Sequence, residues 1–178
     1  MSLFKRKKKA EPVQPEPPKR EYPAGFICKV VGTTFDNEDG ENRQDVLEKI
    51  RRELVGNADP EDLFSGYTNK EIIEDEIDYV FETSDMPFPV ELVEYEYEGA
   101  PAVYVVHDGK VLGNLPADRV PYFLESRQNA GYYRAKAEVT GGKTKALEWD
   151  DDRDRYKVKS KTLTLGAEVT VDFNQPKQ

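Results

Sequence analysis

Apolar and polar positions along this chain alternate at two different periods, and the switches between them mark its elements. Residues 26–35 (FICKVVGTTF) are apolar, β-branched and aromatic, which predicts a strand with Gly32 as a bulge or close-approach point. A polar turn at 36–40 follows. Over 41–54, Val46, Leu47, Ile50 and Leu54 recur at helical spacing, so a helix is predicted, with Arg43, Lys49, Arg51 and Arg52 facing elsewhere. Asn57 to Asp59, ahead of Pro60, breaks it. A second helix is predicted over 69–81. Asn69 is its N-cap, Glu71, Glu74 and Asp75 suit its first turns, and Ile72, Ile73, Ile77, Val80 and Phe81 share one face.

Period-two patterning returns at 90–97, where Tyr95 and Tyr97 alternate with Glu94, Glu96 and Glu98. In AVYVVHDGKVLGNLPADRVPYF, residues 102–123, two apolar runs flank His107-Asp108-Gly109-Lys110. Asp-Gly between such runs is a strong hairpin signal. Pro116 opens an amphipathic helix with Val120, Phe123 and Leu124 on one side. Alternation resumes at 132–140 (YYRAKAEVT). A loop is expected at 141–143, then strands at 147–149 and 156–173 around an acidic turn, with Gly166 at a bend. The sum is a mainly β chain with helices, α+β in class: roughly six strands in a small curled sheet or β-barrel, with helices packed against it.

Composition bounds this picture. With 178 residues, 37% apolar, the chain fits a single core-bearing domain at 24–174 between a basic, Pro-rich and disordered tail at 1–23 and a short tail at 175–178. Residues 55–86 read as a helical insertion. The tail holds a basic cluster at 5–9 and a PxxP-type match at 15–20. No run reaches the ~20 apolar residues of a membrane span, so no membrane insertion is expected. The basic N-terminus has no apolar segment behind it and is not a secretory signal. Cys28 is alone, which excludes an intrachain disulfide; a cytoplasmic location is the expectation. Net charge is −9, unevenly spread: residues 21–109 carry −17 and residues 110–145 carry +4. That split argues against a broad phosphate-binding surface but allows a local basic groove.

Signs of catalysis are sparse. His107 is the only histidine, in an expected turn where such a residue is normally solvated, and one distant cysteine completes neither a zinc site nor a nucleophile pair. Gly141-Gly142-Lys143 lacks the following helix a phosphate loop needs, and no cofactor is called for. The acidic turn at 36–41 lacks the spacing of an EF-hand loop. Tyr132-Tyr133-Arg134-Ala135-Lys136 puts rings and cations on one strand, as single-strand binders do; the plainer reading packs one tyrosine in the core and lays the other on a sheet face.

Three segments, in order, carry a family likeness. The first is Val30-Val31-Gly32-Thr33-Thr34-Phe35-Asp36-Asn37 with Asp39-Gly40 and Asn42-Arg43-Gln44. The second is Val90-Glu91-Leu92-Val93, then Ala102-Val103-Tyr104-Val105 and Gly109-Lys110-Val111-Leu112-Gly113-Asn114-Leu115-Pro116. The third is Ala137-Glu138-Val139-Thr140-Gly141-Gly142 with the closing strand from Leu165 to Val171. From Phe26 to Phe173 the chain resembles the HIRAN domain, in particular small bacterial versions of it. The resemblance implies a small OB-like or SH3-like barrel and a non-enzymatic module binding single-stranded DNA at a 3′ end. By position, Phe35 matches an aromatic stacking site, flanked by Thr34 and Asp36. The family's Asp/Asn-rich loop does not carry over: residues 94–101 are shorter and place three glutamates where phosphates would approach. Thr34, Phe35, Arg119, Arg127 and Arg134 are therefore the expected nucleic-acid-binding residues. The alternative is a protein-interaction module whose acidic surface meets a basic partner.

Overall fold

The computed structural model describes residues 23–173, so the expectations for the basic cluster, the PxxP match and the C-terminal tail lie outside the described residues. Eight strands and three α-helices follow in the order β1 (Phe26–Lys29), α1 (Arg43–Asn57), α2 (Asn69–Glu74), β2 (Tyr79–Phe81), β3 (Phe88–Pro89), β4 (Glu91–Tyr97), β5 (Ala100–His107), β6 (Lys110–Asn114), α3 (Val120–Ala130), β7 (Arg134–Asp150) and β8 (Arg155–Asp172). The class is α+β with strands dominant, as the patterning predicts. The strands form two antiparallel sheets, β1-β8-β7-β2 with β3 also on β7, and β4-β5-β6. These sheets do not close into a continuous barrel. They touch at two seams. Val31 and Asn114 exchange backbone hydrogen bonds of 2.9 Å each, and the Val90 N–H donates to the Ala135 carbonyl at 3.3 Å.

The core lies between the sheets. Val103, Val105 and Leu112 from one sheet meet Val139, Val169 and Val171 from the other, and Leu47, Ile50 and Phe123 close it from α1 and α3. The Asp-Gly turn forms as expected: Asp108 and Gly109 have φ of 46° and 75°, the left-handed pair of a two-residue hairpin. Helix α3 begins at Val120, so Pro121, not Pro116, occupies its first turn.

Three further expectations fail for physical reasons. The first strand ends at Lys29, because Gly32 takes φ 71° and turns the chain away after Val31. The second helix stops at Glu74. Its true N-cap is Thr68, in a capping box with Glu71; past Glu76, at φ 52°, residues 79–81 join β7 as a strand. Finally, Gly141 and Gly142 are not a loop. They bend the 17-residue β7 in mid-strand, with φ of 82° and 64° and a register shift against β8.

Around that bend the turn after β2 is pinned to α1. The Glu82 carboxylate, nearly buried, pairs with Arg51 and with Lys143, and the Thr83 hydroxyl donates to the Val139 carbonyl. Arg51 also holds Glu48 (2.7 Å), as does Arg52 (2.8 Å). The Arg51 guanidinium, with help from Arg52, lowers the Glu48 carboxyl to about 2. A depressed folded value means the stabilisation is complete above the ordinary carboxyl range and disappears as pH falls towards that value. Glu48→Gln should therefore cost about 1 kcal/mol at neutral pH, after discounting for partial exposure. Urea unfolding should show the variant and the native chain converging near pH 2. A Cβ on Gly141 would sit 2.1 Å from the Thr164 carbonyl oxygen, so Gly141→Ala should lose at least about 2 kcal/mol in the same assay. Gly56→Ala, with open space around it inside α1, should gain about 0.5–1 kcal/mol.

Candidate functional site

Between β1 and α1 the chain folds into a knuckle, residues 32–42, held by the first residues of the helix. Asn42 caps α1, its side chain accepting from the Gln44 N–H at 2.8 Å. Its amide also donates to Asp36 at 2.8 Å. Gln44 donates to two carbonyls, Thr33 at 2.9 Å and Leu165 at 2.8 Å, and accepts from the Leu165 N–H at 3.2 Å. Arg43 reaches back to the Gly32 carbonyl (2.9 Å) and the Asn37 side chain (2.8 Å), and Asn37 in turn donates to the Val111 carbonyl. The expectation that Arg43 faces away from the core is corrected here. Arg43, Leu47 and Ile50 fall at i, i+4 and i+7, so the stripe that buries the two apolar residues also buries Arg43, to 7% exposure.

These bonds gather side chains at one point. A Cβ built on Gly32 would lie 3.2 Å from the Phe35 ring, 3.4 Å from Arg43 Nη1 and 3.4 Å from the Asn114 amide nitrogen. Only glycine leaves that space open, and it does so at a φ of 71°. Phe35 itself is 64% exposed. Asn114 accepts from the Tyr95 hydroxyl at 2.8 Å, and Tyr95 stacks flat on Tyr104, ring centroids 3.7 Å apart. Burial raises the Tyr95 phenol above its ordinary range, with Tyr104 adding to the shift, so it stays a donor at neutral pH. The Arg43 guanidinium lies 6.0 Å from the Tyr104 ring centre. Tyr97 and Val93, both exposed, continue the same face of β4, since alternate residues of a strand share a side.

That alternation also relocates two of the glutamates. Glu94 and Glu96 point to the opposite face of β4 from Tyr95 and Tyr97, and Glu94 is paired with Arg127. Glu98 lies exposed in the β4–β5 turn.

The expected residues are only partly brought together. Thr34 and Phe35 both sit exposed on the knuckle. The three arginines do not join them. Arg119 stands at the start of α3 beside Asp118. Arg127 is committed to Glu94 and lies over the Phe123 ring at 5.8 Å. Arg134 lines a separate groove of about 660 Å³ with Phe88, Glu91, Tyr132, Tyr133, Lys136 and Asp172. There Tyr133 turns inward, bonding the Leu92 carbonyl at 3.2 Å, while Tyr132 stays exposed; both precede β7 instead of sharing a strand with Arg134 and Lys136. His107 is not a solvated turn residue. It ends β5, packs edge-on to Phe88 at 4.9 Å, and its Nδ1 lies 2.7 Å from the Pro89 carbonyl. In the acidic turn, Asp39 and Glu41 both grip Lys110, at 2.7 and 3.0 Å. Lys110 lowers the Asp39 carboxyl, Lys49 with Lys110 lowers that of Glu41, and the acids raise Lys110 in return.

Comparison with protein-family models, with curated proteins and with solved structures returns no match. The site therefore rests on its own geometry. Its centre is testable: Gly32→Ala should displace Phe35 or Arg43 and lower stability by about 1–2 kcal/mol. Amide shifts in a proton–nitrogen NMR spectrum should concentrate at residues 32–37 and at Asn114; shifts scattered evenly over the chain would contradict the convergence.

Proposed function

We propose that this chain is a HIRAN-like, non-enzymatic module that binds single-stranded nucleic acid on the surface made by Phe35, Tyr95, Tyr104 and Asn114. The observation that carries this reading is the convergence of an exposed ring, a guanidinium and a carboxamide on the one glycine that leaves room for them. A base has a π-face for Phe35 and edge groups for an amide, and it needs no particular sequence to use them. In the same reading the two sheets are the halves of a small barrel, with the Val31–Asn114 seam bringing the knuckle of one half against β6 of the other.

Magnitudes set the expected strength. One stacked base contributes about 1–3 kcal/mol. Asp39 and Glu41 hold Lys110, and Glu94 holds Arg127 on the opposite face of β4, so few cations remain for phosphates. Binding should be micromolar or weaker and should fall only gently with salt.

A fluorescent single-stranded oligonucleotide with a free 3′ end, titrated at two salt concentrations, tests this. Phe35→Ala should weaken binding about tenfold. Arg134→Gln, in its separate groove, should change it by less than about twofold. Repeating the titration without residues 1–23 separates the folded surface from the basic tail. No binding at low salt with the tail intact would overturn the nucleic-acid reading in favour of a basic protein partner on the acidic surface.

A further inference from the structure

Most cations near the knuckle are matched by carboxylates. Lys110 has Asp39 and Glu41, Lys49 has Glu41, and two turns further along α1 Arg51 has Glu48 and Glu82. Arg43 is the exception. It is the most buried of them, yet among the described residues it forms no ion pair. Its Nε and Nη1 bond a side-chain amide oxygen and a carbonyl. Its Nη2 donates to no acceptor among the described residues.

A guanidinium this deep without a carboxylate beside it is held at a desolvation cost, and its one unpartnered nitrogen is not cut off from solvent. Structural arginines at such depth normally have a carboxylate beside them. Arg43 instead opens on a cavity of about 260 Å³, walled by Tyr104, Asn37, Gly109 and Lys110. That volume is below the ~300–1,000 Å³ of sites for whole small molecules. It suits one oxyanion with at most a sugar attached. Planar guanidinium donors match phosphoryl oxygens, and the unused edge of Arg43 supplies them without breaking its bonds to Gly32 and Asn37.

We propose that the cavity beside Arg43 is a phosphoryl-oxyanion subsite, and that it seats a phosphate of the strand whose base lies on Phe35. This rests on the strand-binding reading for its source of phosphate but not for its chemistry. Two acids share the cavity wall. Asp39 is held by Lys110, whereas Glu38 has no partner among the described residues and opposes an entering anion. Glu38 thus acts against the subsite and gives it a second, independent handle.

The phosphate is either an internal diester or a terminal monoester, and the test tells them apart. The full chain is titrated with internally labelled oligothymidylates of about ten nucleotides, ending in hydroxyls, in a 3′-phosphate or in a 5′-phosphate. Inorganic phosphate is followed separately by the NMR shifts of the Arg43 side-chain Nε–H and the Gly109 amide. The expected result is that inorganic phosphate moves both signals. A strand with one phosphorylated end should also bind about fivefold or more tighter than the hydroxyl-ended strand. Arg43→Gln should abolish the preference. Glu38→Gln, at an exposed position that bears no fold contact, should tighten phosphate binding about two- to threefold. Should Arg43→Gln fail to fold, the Glu38 variant still decides.

If the ends make no difference but both variants change strand affinity in those directions, the seated group is an internal diester and the subsite stands. Where inorganic phosphate moves the Arg43 signal and no oligonucleotide binds, the subsite stands and the strand reading fails. Strand binding that ignores both variants, with no response of Arg43 to phosphate, overturns the subsite and leaves the strand reading intact.

Discussion

Two adjacent side chains at the head of α1 hold the knuckle in place. Gln44 does for residues 33 and 165 what a strand would do: one carboxamide donates to two carbonyls and accepts from one N–H, joining the knuckle to β8. Arg43 performs the same service for Gly32 and Asn37. Each bond is worth only about 1 kcal/mol net, but a carbonyl left buried and unpaired costs more than the bond that satisfies it. Among the described residues the knuckle pairs with no strand, its one bridge joining its own Asp36 and Asn42. Without the Arg-Gln pair the Thr33 and Leu165 carbonyls would have to find water, and only the knuckle's own turn bonds would hold Phe35.

Helix α1 can carry this load because its rotation is fixed by the core. Val46, Leu47 and Ile50 are all buried, and Arg43 extends the same stripe by one turn. Eight residues further on, about 12 Å along the axis, Arg51 pins the turn after β2 through Glu82. Its side chain also lies against Gly142, where a Cβ would meet Arg51 Cδ at 3.0 Å. One helix thus positions both the knuckle at its head and the β7 bend further along its length.

What the sequence made legible was whatever is decided locally. The Asp-Gly hairpin, α1 and the alternation of β4 all form where their patterns put them, because turn chemistry and side-chain period act within a few residues. The 69–81 segment deceived because its isoleucines do recur at helical spacing. What decides residues 79–81 is pairing with Thr144–Ala146, more than sixty residues away, and no local pattern reports that. Gly141-Gly142 reads as a loop for the same reason. Only a partner strand running past both glycines turns two breakers into a bend. Phe35 could be picked out from its place after the first strand. Asn114 and Arg43 could not, since they converge with it on Gly32 only once two sheets and a helix are assembled, and Tyr104 joins through Arg43 and Tyr95. The opposite facing of Glu94 and Tyr95 was, by contrast, available from period two alone.

The burial of Arg43 was also written in the spacing, at i−4 from Leu47. A charged residue on an apolar stripe conflicts with its local pattern. Such conflicts persist where something outside the core answers the charge. The rest of the chain shows how readily a carboxylate could have done so, given the −17 carried between residues 21 and 109. Acids from that same stretch surround Lys110 and Arg51. In a neighbourhood that rich in negative charge, an arginine paired only with a carbonyl and an amide is a placed group. Its Nη2 has no acceptor among the described residues, and the residue lines the cavity beside Tyr104.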